Sequence, residues 1–181
     1  HALLVGVGGL GCPIAQYLVG AGIGRLTLVD DDVVSVSNLH RQILYDESQV
    51  GEPKALMAQR RLSLLNSEVK VEAHVCRLTP ENAELLAAGC DVLIDGCDNF
   101  ATRFLLDDVS ERMGIPYFYG AVRGFEGQAA VFGLGETPLR YRDLHPDREA
   151  TLKMPHPGKQ VVGMTPAVVG SVLATQVVQY V

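Results

Sequence analysis

The chain has 181 residues, of which 48% are hydrophobic and 20% charged, and its formal net charge is −6. That length buries a sizeable core, the acidic balance argues against a nucleic-acid surface, and no apolar run approaches the roughly 18 residues that span a bilayer. Four cysteines, Cys12, Cys76, Cys90 and Cys97, form no CxxC pair, which suits reduced thiols in a cytoplasmic protein. The chain opens at His1 almost directly in an apolar run and stops at Val181 inside a helical pattern. It therefore reads as one domain, residues 1–181, cut from a longer protein at both ends.

Residues 2–6 read as a strand running into Gly6-Val-Gly-Gly-Leu-Gly11. Residues 11–22 read as a helix, with Pro13 tolerated in its first turn and a glycine stop signal at Gly22-Ile23-Gly24. A second apolar run predicts a strand over 25–30 that ends in Asp30. The polar stretch 31–50 is turn-rich, with one short helix expected over 38–44. Residues 53–65 carry helical spacing in Ala55, Leu56, Ala58, Leu62 and Leu65, and 69–73 alternates as a strand. Thr79-Pro80-Glu81-Asn82 is a capping-type start for a helix through Ala87. Residues 91–95 enclose Val-Leu-Ile as a buried parallel strand, 99–113 form a helix and 115–119 the next strand. This βαβαβαβαβ order predicts an α/β fold, Rossmann-like and doubly wound, with a mostly parallel sheet and helices on both faces. Beyond residue 119 the pattern changes. Residues 120–132 are glycine-punctuated and strand-like, an antiparallel addition to the sheet. Residues 135–160 are proline-rich and charged and read as an exposed crossover loop. Thr165-Pro166 opens a helix of small residues (Ala167, Gly170, Ser171, Ala174) suited to close packing.

The glycine loop carries the first chemical signal. Gly6, Gly8, Gly9 and Gly11 let backbone approach a phosphate or adenosine at a helix N-terminus, and Asp30, 19 residues after Gly11, is placed to meet a ribose. Alone, the motif leaves NAD, FAD and ATP open, and a tight structural turn is its bland reading. Asp30-Asp31-Asp32 and Ser37-Asn38-Leu39-His40-Arg41-Gln42 follow, a cluster that a typical NAD site does not need. Arg41 can hold phosphate oxygens bidentately; otherwise the run is a solvated loop. Lys54, in the first turn of its helix, opposes the helix dipole, which an anionic partner would explain. Asp95-Gly96-Cys97-Asp98-Asn99 lies at the carboxyl end of a strand, where open α/β sheets bind ligands. Two acids three residues apart suit magnesium, and Asp and Asn are also good helix caps; Asp98 is the expected metal ligand and Asn99 the expected cap. Arg103, Arg123 and Gln128 are weaker candidates, Arg103 being read as solvent-exposed or salt-bridged. Cys12 and Cys97 read as small buried filler. His40, His74, His145 and His156 show no ligand spacing.

Together these segments resemble the ThiF/MoeB/HesA family of ubiquitin-activating-enzyme-like adenylyltransferases. The resemblance rests on Gly6-Val-Gly-Gly-Leu-Gly11, Leu28-Val-Asp-Asp-Asp32, Ser37-Asn-Leu-His-Arg-Gln42, Val50-Gly-Glu-Pro-Lys54, Asp95-Gly-Cys-Asp-Asn99 and Gly124-Phe-Glu-Gly-Gln128, in an order that runs through most of the chain. It implies an enzyme that adenylates the C-terminal Gly-Gly carboxylate of a ubiquitin-like sulfur-carrier protein. Such an enzyme uses Mg-ATP and releases pyrophosphate, as a cytoplasmic homodimer in thiamine or molybdopterin-type biosynthesis. On the same resemblance the nucleotide site comprises Gly6, Gly8, Gly9, Gly11, Asp30, Asp32, Asn38, Arg41, Gln42, Lys54, Asp98 and Asn99. Asp30 would bind ribose; Asn38, Arg41 and Lys54 would hold the phosphates; Asp98 would bind magnesium; Arg41, Lys54 and Asp98 form the catalytic set. Three departures stand out. Arg140-Tyr-Arg-Asp-Leu144 replaces a Cys-Tyr-Arg-Cys-Leu zinc segment, so no zinc is expected. No cysteine follows Cys97, and Met154-Pro-His-Pro157 stands where some members carry a reactive one. An N-terminal helix that lends an arginine across the dimer lies outside these residues. The competing readings are a non-catalytic carrier-binding partner subunit and an NAD-dependent oxidoreductase; the latter leaves Arg41, Lys54 and the Asp95/Asp98 pair unexplained.

Overall fold

Strand β1 (Ala2–Val5) pairs in parallel with β2 (Arg25–Val29) on one side and β4 (Val92–Asp95) on the other, in a computed structural model that describes residues 1–155 and 161–181. β3 (Lys70–His74) extends the first side and β5 (Tyr117–Arg123) the second, both parallel. β6 (Glu126–Phe132) turns back antiparallel on β5, giving the six-stranded order β3-β2-β1-β4-β5-β6. The chain winds outward from β1 in both directions, so the carboxyl ends of β1, β2 and β4 open a crevice where a doubly wound sheet binds ligands. The mostly parallel sheet with an antiparallel addition is the architecture that the element order predicts.

The two-residue period of the strands assigns side chains to two cores. Ala2 and Leu4 face a layer built on α1 (Gly11–Gly20), α2 (Lys54–Leu65) and α7 (Met164–Tyr180). Leu3 and Val5 face the opposite layer, with α3 (Ala83–Ala87) and α4 (Phe100–Met113). Both faces are covered, so β1 is an unbroken apolar run rather than an alternating one. The small residues of α7 permit close packing on α1. A Cβ on Gly170 would stand 2.6 Å from Pro13 Cγ and 2.9 Å from the Leu10 carbonyl.

Two expectations need correction. The predicted helix over 38–44 does not form; the segment has a 3-10 turn at Val36–Asn38 and then irregular turns. Its polar side chains bond locally instead: Asn38 donates to Ser35 Oγ at 2.6 Å and Gln42 donates to Asn38 Oδ1 at 2.8 Å. Such local bonds compete with a continuing helix. Nor is 135–160 simply an exposed loop. Its described part holds α5 (Tyr141–Leu144) and α6 (Arg148–Lys153), and Tyr141 is fully buried. The Asp107 carboxylate, itself buried on α4, accepts the Tyr141 amide at 2.8 Å and Arg142 Nε at 2.8 Å, docking α5 on α4. His156 and Pro157 lie outside the described residues.

Candidate active site

The crevice begins with three glycines. Gly6 (φ +88°) turns the chain out of β1. The Gly6 carbonyl lies 2.0 Å from where a Cβ on Gly11 would stand and 2.2 Å from where one on Gly96 would stand. The turns after β1 and β4 therefore interlock through backbone, which no side chain could permit. The Val7 peptide between them is held at both ends. Its N–H donates to Asp30 Oδ2 at 2.7 Å, and its carbonyl accepts the Tyr45 hydroxyl at 2.8 Å and the Cys12 thiol at 3.4 Å. Asp30 also accepts the Asp32 amide at 2.9 Å. Burial lifts the Asp30 carboxyl above its usual range, and the N–H groups of Val7 and Asp32, with the charge of Lys54, pull it back.

Lys54 begins α2 and is only 4% exposed. Its amide donates to the Asp32 carbonyl at 3.0 Å, and its ammonium pairs with Asp32 Oδ2 at 2.5 Å. Asp32 is thus the anion that offsets a lysine in an unfavourable first-turn position. Arg41 packs against Gly9, where a Cβ would meet Arg41 Cδ at 3.3 Å, and its guanidinium contacts the Ser37 carbonyl at 3.4 Å and His40 Nε2 at 2.8 Å. Gln42 is 3% exposed, and its Oε1 is buried with no partner among the described residues. A buried, unmet acceptor is rare in a folded protein; here it is an open hydrogen-bonding position on the wall of the crevice.

The opposite wall is the turn after β4. Asn99 caps α4, accepting the Thr102 amide at 2.9 Å, as predicted. Asp95 and Asp98 stand in different surroundings, and Asp98, the one expected as the metal ligand, is the one on the cavity wall. Asp95 is fully buried and receives the Cys97 amide at 2.8 Å, the Tyr117 hydroxyl at 3.1 Å and Arg103 Nε at 3.2 Å. Burial raises its carboxyl and the Arg103 charge lowers it. Asp98, by contrast, is exposed and lines the crevice. Burial and the neighbouring Asp95 push the Cys97 thiol well above its usual range, so it stays protonated and is poorly suited to thiolate chemistry.

Gly6, Asp30, Lys54, Arg41, Gln42 and Asp98 border one cavity of about 950 Å³, within the range of small-molecule sites. It extends from the glycine loop past Asp98 to Tyr119, Gln128, His145 and Met154. A model of the ThiF family matches residues 1–181 of this chain.

The chain belongs to the ThiF family.

Among its ThiF-family relatives, the sulfur carrier protein adenylyltransferase of Thermus thermophilus is 48% identical over 185 residues, covering 96% of this chain and 66% of that protein. The probable adenylyltransferase/sulfurtransferase MoeZ of Mycobacterium tuberculosis is 40% identical over 186 residues, covering 99% of this chain and 47% of that protein. The SAMP-activating enzyme E1 of Haloferax volcanii is 42% identical over 177 residues, covering 97% of this chain and 65% of that protein. The chain thus spans about half to two thirds of the length of these relatives. Among solved structures, E. coli MccB with ATP superposes with a TM-score of 0.84 at 22% identity, covering 99% of this chain and 55% of that chain. PaaA superposes with a TM-score of 0.81 at 22% identity, covering 99% of this chain and 55% of that chain. These likenesses show the shared fold.

Within the ThiF-family crevice, the tertiary structure gathers Gly6, Gly8, Gly9, Asp30, Asp32, Asn38, Arg41, Gln42, Lys54, Asp98 and Asn99 around one cavity. Gly11 stands behind the loop as its packing partner. Three participants escaped the sequence reading, and a fourth, Arg103, was a weaker candidate in it. Arg77, in the loop after β3, lines the cavity, and Tyr45 clamps the glycine loop from a segment with no motif. Of its two readings, Arg103 takes the salt-bridged one: it is 6% exposed and paired with Asp95. His145 packs against Tyr141 with ring centroids 4.9 Å apart and lines the cavity.

Proposed function

We propose that this chain adenylates the C-terminal glycine carboxylate of a ubiquitin-like sulfur-carrier protein ending in Gly-Gly, with Mg-ATP as co-substrate and pyrophosphate as leaving group. One observation carries the reading: a glycine cradle, the Lys54 and Arg41 cations and the outward-facing Asp98 all border a single crevice. The sequence kinship with sulfur carrier protein adenylyltransferase supports the choice of carrier. In this reading the backbone of Gly6, Gly8 and Gly9 passes close to adenosine and phosphates. Asp30 receives a ribose hydroxyl, and Asn38, Arg41, Gln42 and Lys54 hold the phosphates. The donor set fits magnesium as part of the nucleotide. No three His, Cys, Asp or Glu side chains gather into a metal cage among the described residues, and magnesium delivered by a triphosphate needs only one or two carboxylates beside phosphate oxygens and water. Asp98 is that carboxylate.

The chemistry requires no protein nucleophile. A carrier carboxylate oxygen attacks the α-phosphorus, the bond to the bridging oxygen breaks, and pyrophosphate departs with the electron pair. Lys54 and Arg41 offset the charge that gathers on the phosphates, and the crevice supplies alignment. In this reading the half of the cavity lined by Tyr119, Gln128 and His145 receives the carrier tail. We assign the protein to thiamine or molybdopterin-type sulfur transfer in the cytoplasm, as a homodimer; no helix among the described residues is long and apolar enough to cross a membrane. ATP–pyrophosphate exchange in the presence of candidate carriers tests the assignment. The intact protein is expected to exchange with a carrier ending in Gly-Gly and not with the same carrier lacking its last glycine. Asp98→Ala is expected to abolish exchange while leaving the melting transition in place; silence with every carrier, or a fully active Asp98→Ala variant, overturns the reading.

A further inference from the structure

Arg103 occupies an unusual position for a cation that borders the crevice. It leaves α4 in the first turn after the Asn99 cap and is 6% exposed, with Nε on Asp95 Oδ2 at 3.2 Å. Its Nη2 donates to two carbonyls at once, Cys97 at 3.2 Å and Gly120 at 3.4 Å. One belongs to the turn that displays Asp98 and the other to β5, so a single guanidinium pins the turn to the sheet. The Cys97 carbonyl and the Asp98 amide share one rigid peptide plane. Holding that carbonyl therefore fixes the plane from which the Asp98 side chain departs. Asp95 secures the other end of the same turn by accepting the Cys97 amide at 2.8 Å, and Tyr117 secures Asp95 at 3.1 Å.

The charge of Arg103 is committed to Asp95 through Nε, and its Nη2 is committed to the two carbonyls. This distinguishes it from Arg41, which has no carboxylate partner in the described ion pairs. Resting on the Mg-ATP reading above, we infer that Arg103 is a positioning residue, which sets the Cys97–Asp98 peptide plane and so the direction from which Asp98 meets the nucleotide-borne cation, without itself touching a phosphate. Lysine cannot substitute, because a point-like ammonium on a shorter stem lacks the planar fork that reaches a carboxylate and two carbonyls together.

The test separates metal-dependent from metal-independent nucleotide binding in the intact protein. ATP is titrated calorimetrically in EDTA and at stepped magnesium concentrations, and manganese occupancy in the presence of ATP is followed by electron paramagnetic resonance. Arg103→Lys is expected to raise the metal concentration for half-maximal effect about 10- to 100-fold, the range seen when groups behind a metal ligand are lost. ATP affinity in EDTA is expected to stay within about twofold of the parent. An unchanged metal dependence overturns the role, and so does an equal loss with and without metal, which would make Arg103 a direct phosphate contact. Should Arg103→Lys fail to fold, the Arg103→Gln/Asp95→Asn pair removes both charges together and orphans neither; wild-type metal dependence in that variant overturns the role equally. A parent protein whose ATP binding ignores the metal overturns the Mg-ATP reading itself and this role with it.

Discussion

Lys54 shows how one residue serves two ends. Its stem is buried while its ammonium meets Asp32, a side chain that is 64% exposed. A pair with one partner so open to water adds little to stability, so its placement is better explained by what it presents to the crevice. Lys54→Met keeps the packing and removes the charge. ATP affinity is expected to fall about 10- to 100-fold, from the ~1.5–3 kcal/mol of a hydrogen bond to a charged group, with stability changed by less than about 1 kcal/mol; calorimetry and urea denaturation measure the two. Gly11 has the opposite character. A methyl group there would stand 2.0 Å from the Gly6 carbonyl, and Gly6 is itself tethered by its amide to the Val29 carbonyl at 2.8 Å. Gly11→Ala is expected to lower stability by about 3 kcal/mol, as overpacking against backbone does, and a denaturation midpoint within error of the parent would refute the interlock. Gly11, Asp30 and Asn99 were legible in the sequence because each does its work within a few residues of a strand end, where motif spacing and position coincide, and Lys54 because it stands in the first turn of its helix. Tyr45 was not, and Arg103 was a candidate whose hold on the turn and the sheet was not. Their partners, Val7 and Gly120, stand 38 and 17 residues away along the chain, and no local periodicity encodes such a distance.

Among elements, the strands and long helices followed their hydrophobic periods, and the connections did not. The helix α5 is only Tyr141–Leu144, too short to hold itself together in water. It exists because Asp107 reaches across 34 residues to cap its backbone, and because Tyr141 enters an aromatic cluster with Phe104 at 5.1 Å and Tyr119 at 5.2 Å. Arg142 adds Asp108 and Glu111 as further partners, and Arg148 lies over the Phe104 ring at 4.9 Å. Asp107→Ala leaves the Tyr141 amide buried without an acceptor, at a cost of about 1–3 kcal/mol. Faster amide exchange confined at first to 141–153 is the expected signature; uniform exchange across α4 and the sheet would show that α5 is not separately docked by this carboxylate. The sequence around 140 displays charges and one tyrosine, which reads as a solvated loop, because the decisive partner lies on another helix. The 38–44 segment fails as a helix for the converse reason: its asparagine, serine and glutamine side chains satisfy one another before a second turn can form.

At the scale of the whole molecule, the crevice joins the two layers of the fold, and its acid–base balance reports on both. His145 comes from α5's end, borders the cavity beside Phe100, and has its basicity lowered from 6.5, first by burial and then by the charge of Arg103. The folded protein therefore binds this proton less readily than the unfolded chain. The stability contribution is complete above pH 6.5 and is lost as pH falls through the lower folded value. His145→Gln is expected to show a smaller drop in melting temperature between pH 7.5 and pH 5 than the parent, the carboxylate contribution being common to both; parallel curves would contradict it. The amino-acid sequence by itself determined the doubly wound order, the glycine loop with its acid at the next strand end, and the family, because these are written in short-range periods and in motifs that backbone geometry demands. Tertiary structure alone decided that Asp95 is a buried anchor while Asp98 faces the crevice, that Arg103 is held between turn and sheet, and that Tyr141 is core rather than loop. The physical reason is the same in each case: burial and charge pairing depend on which distant segments a side chain meets, and identical residue types take opposite roles once desolvation has been settled by the fold.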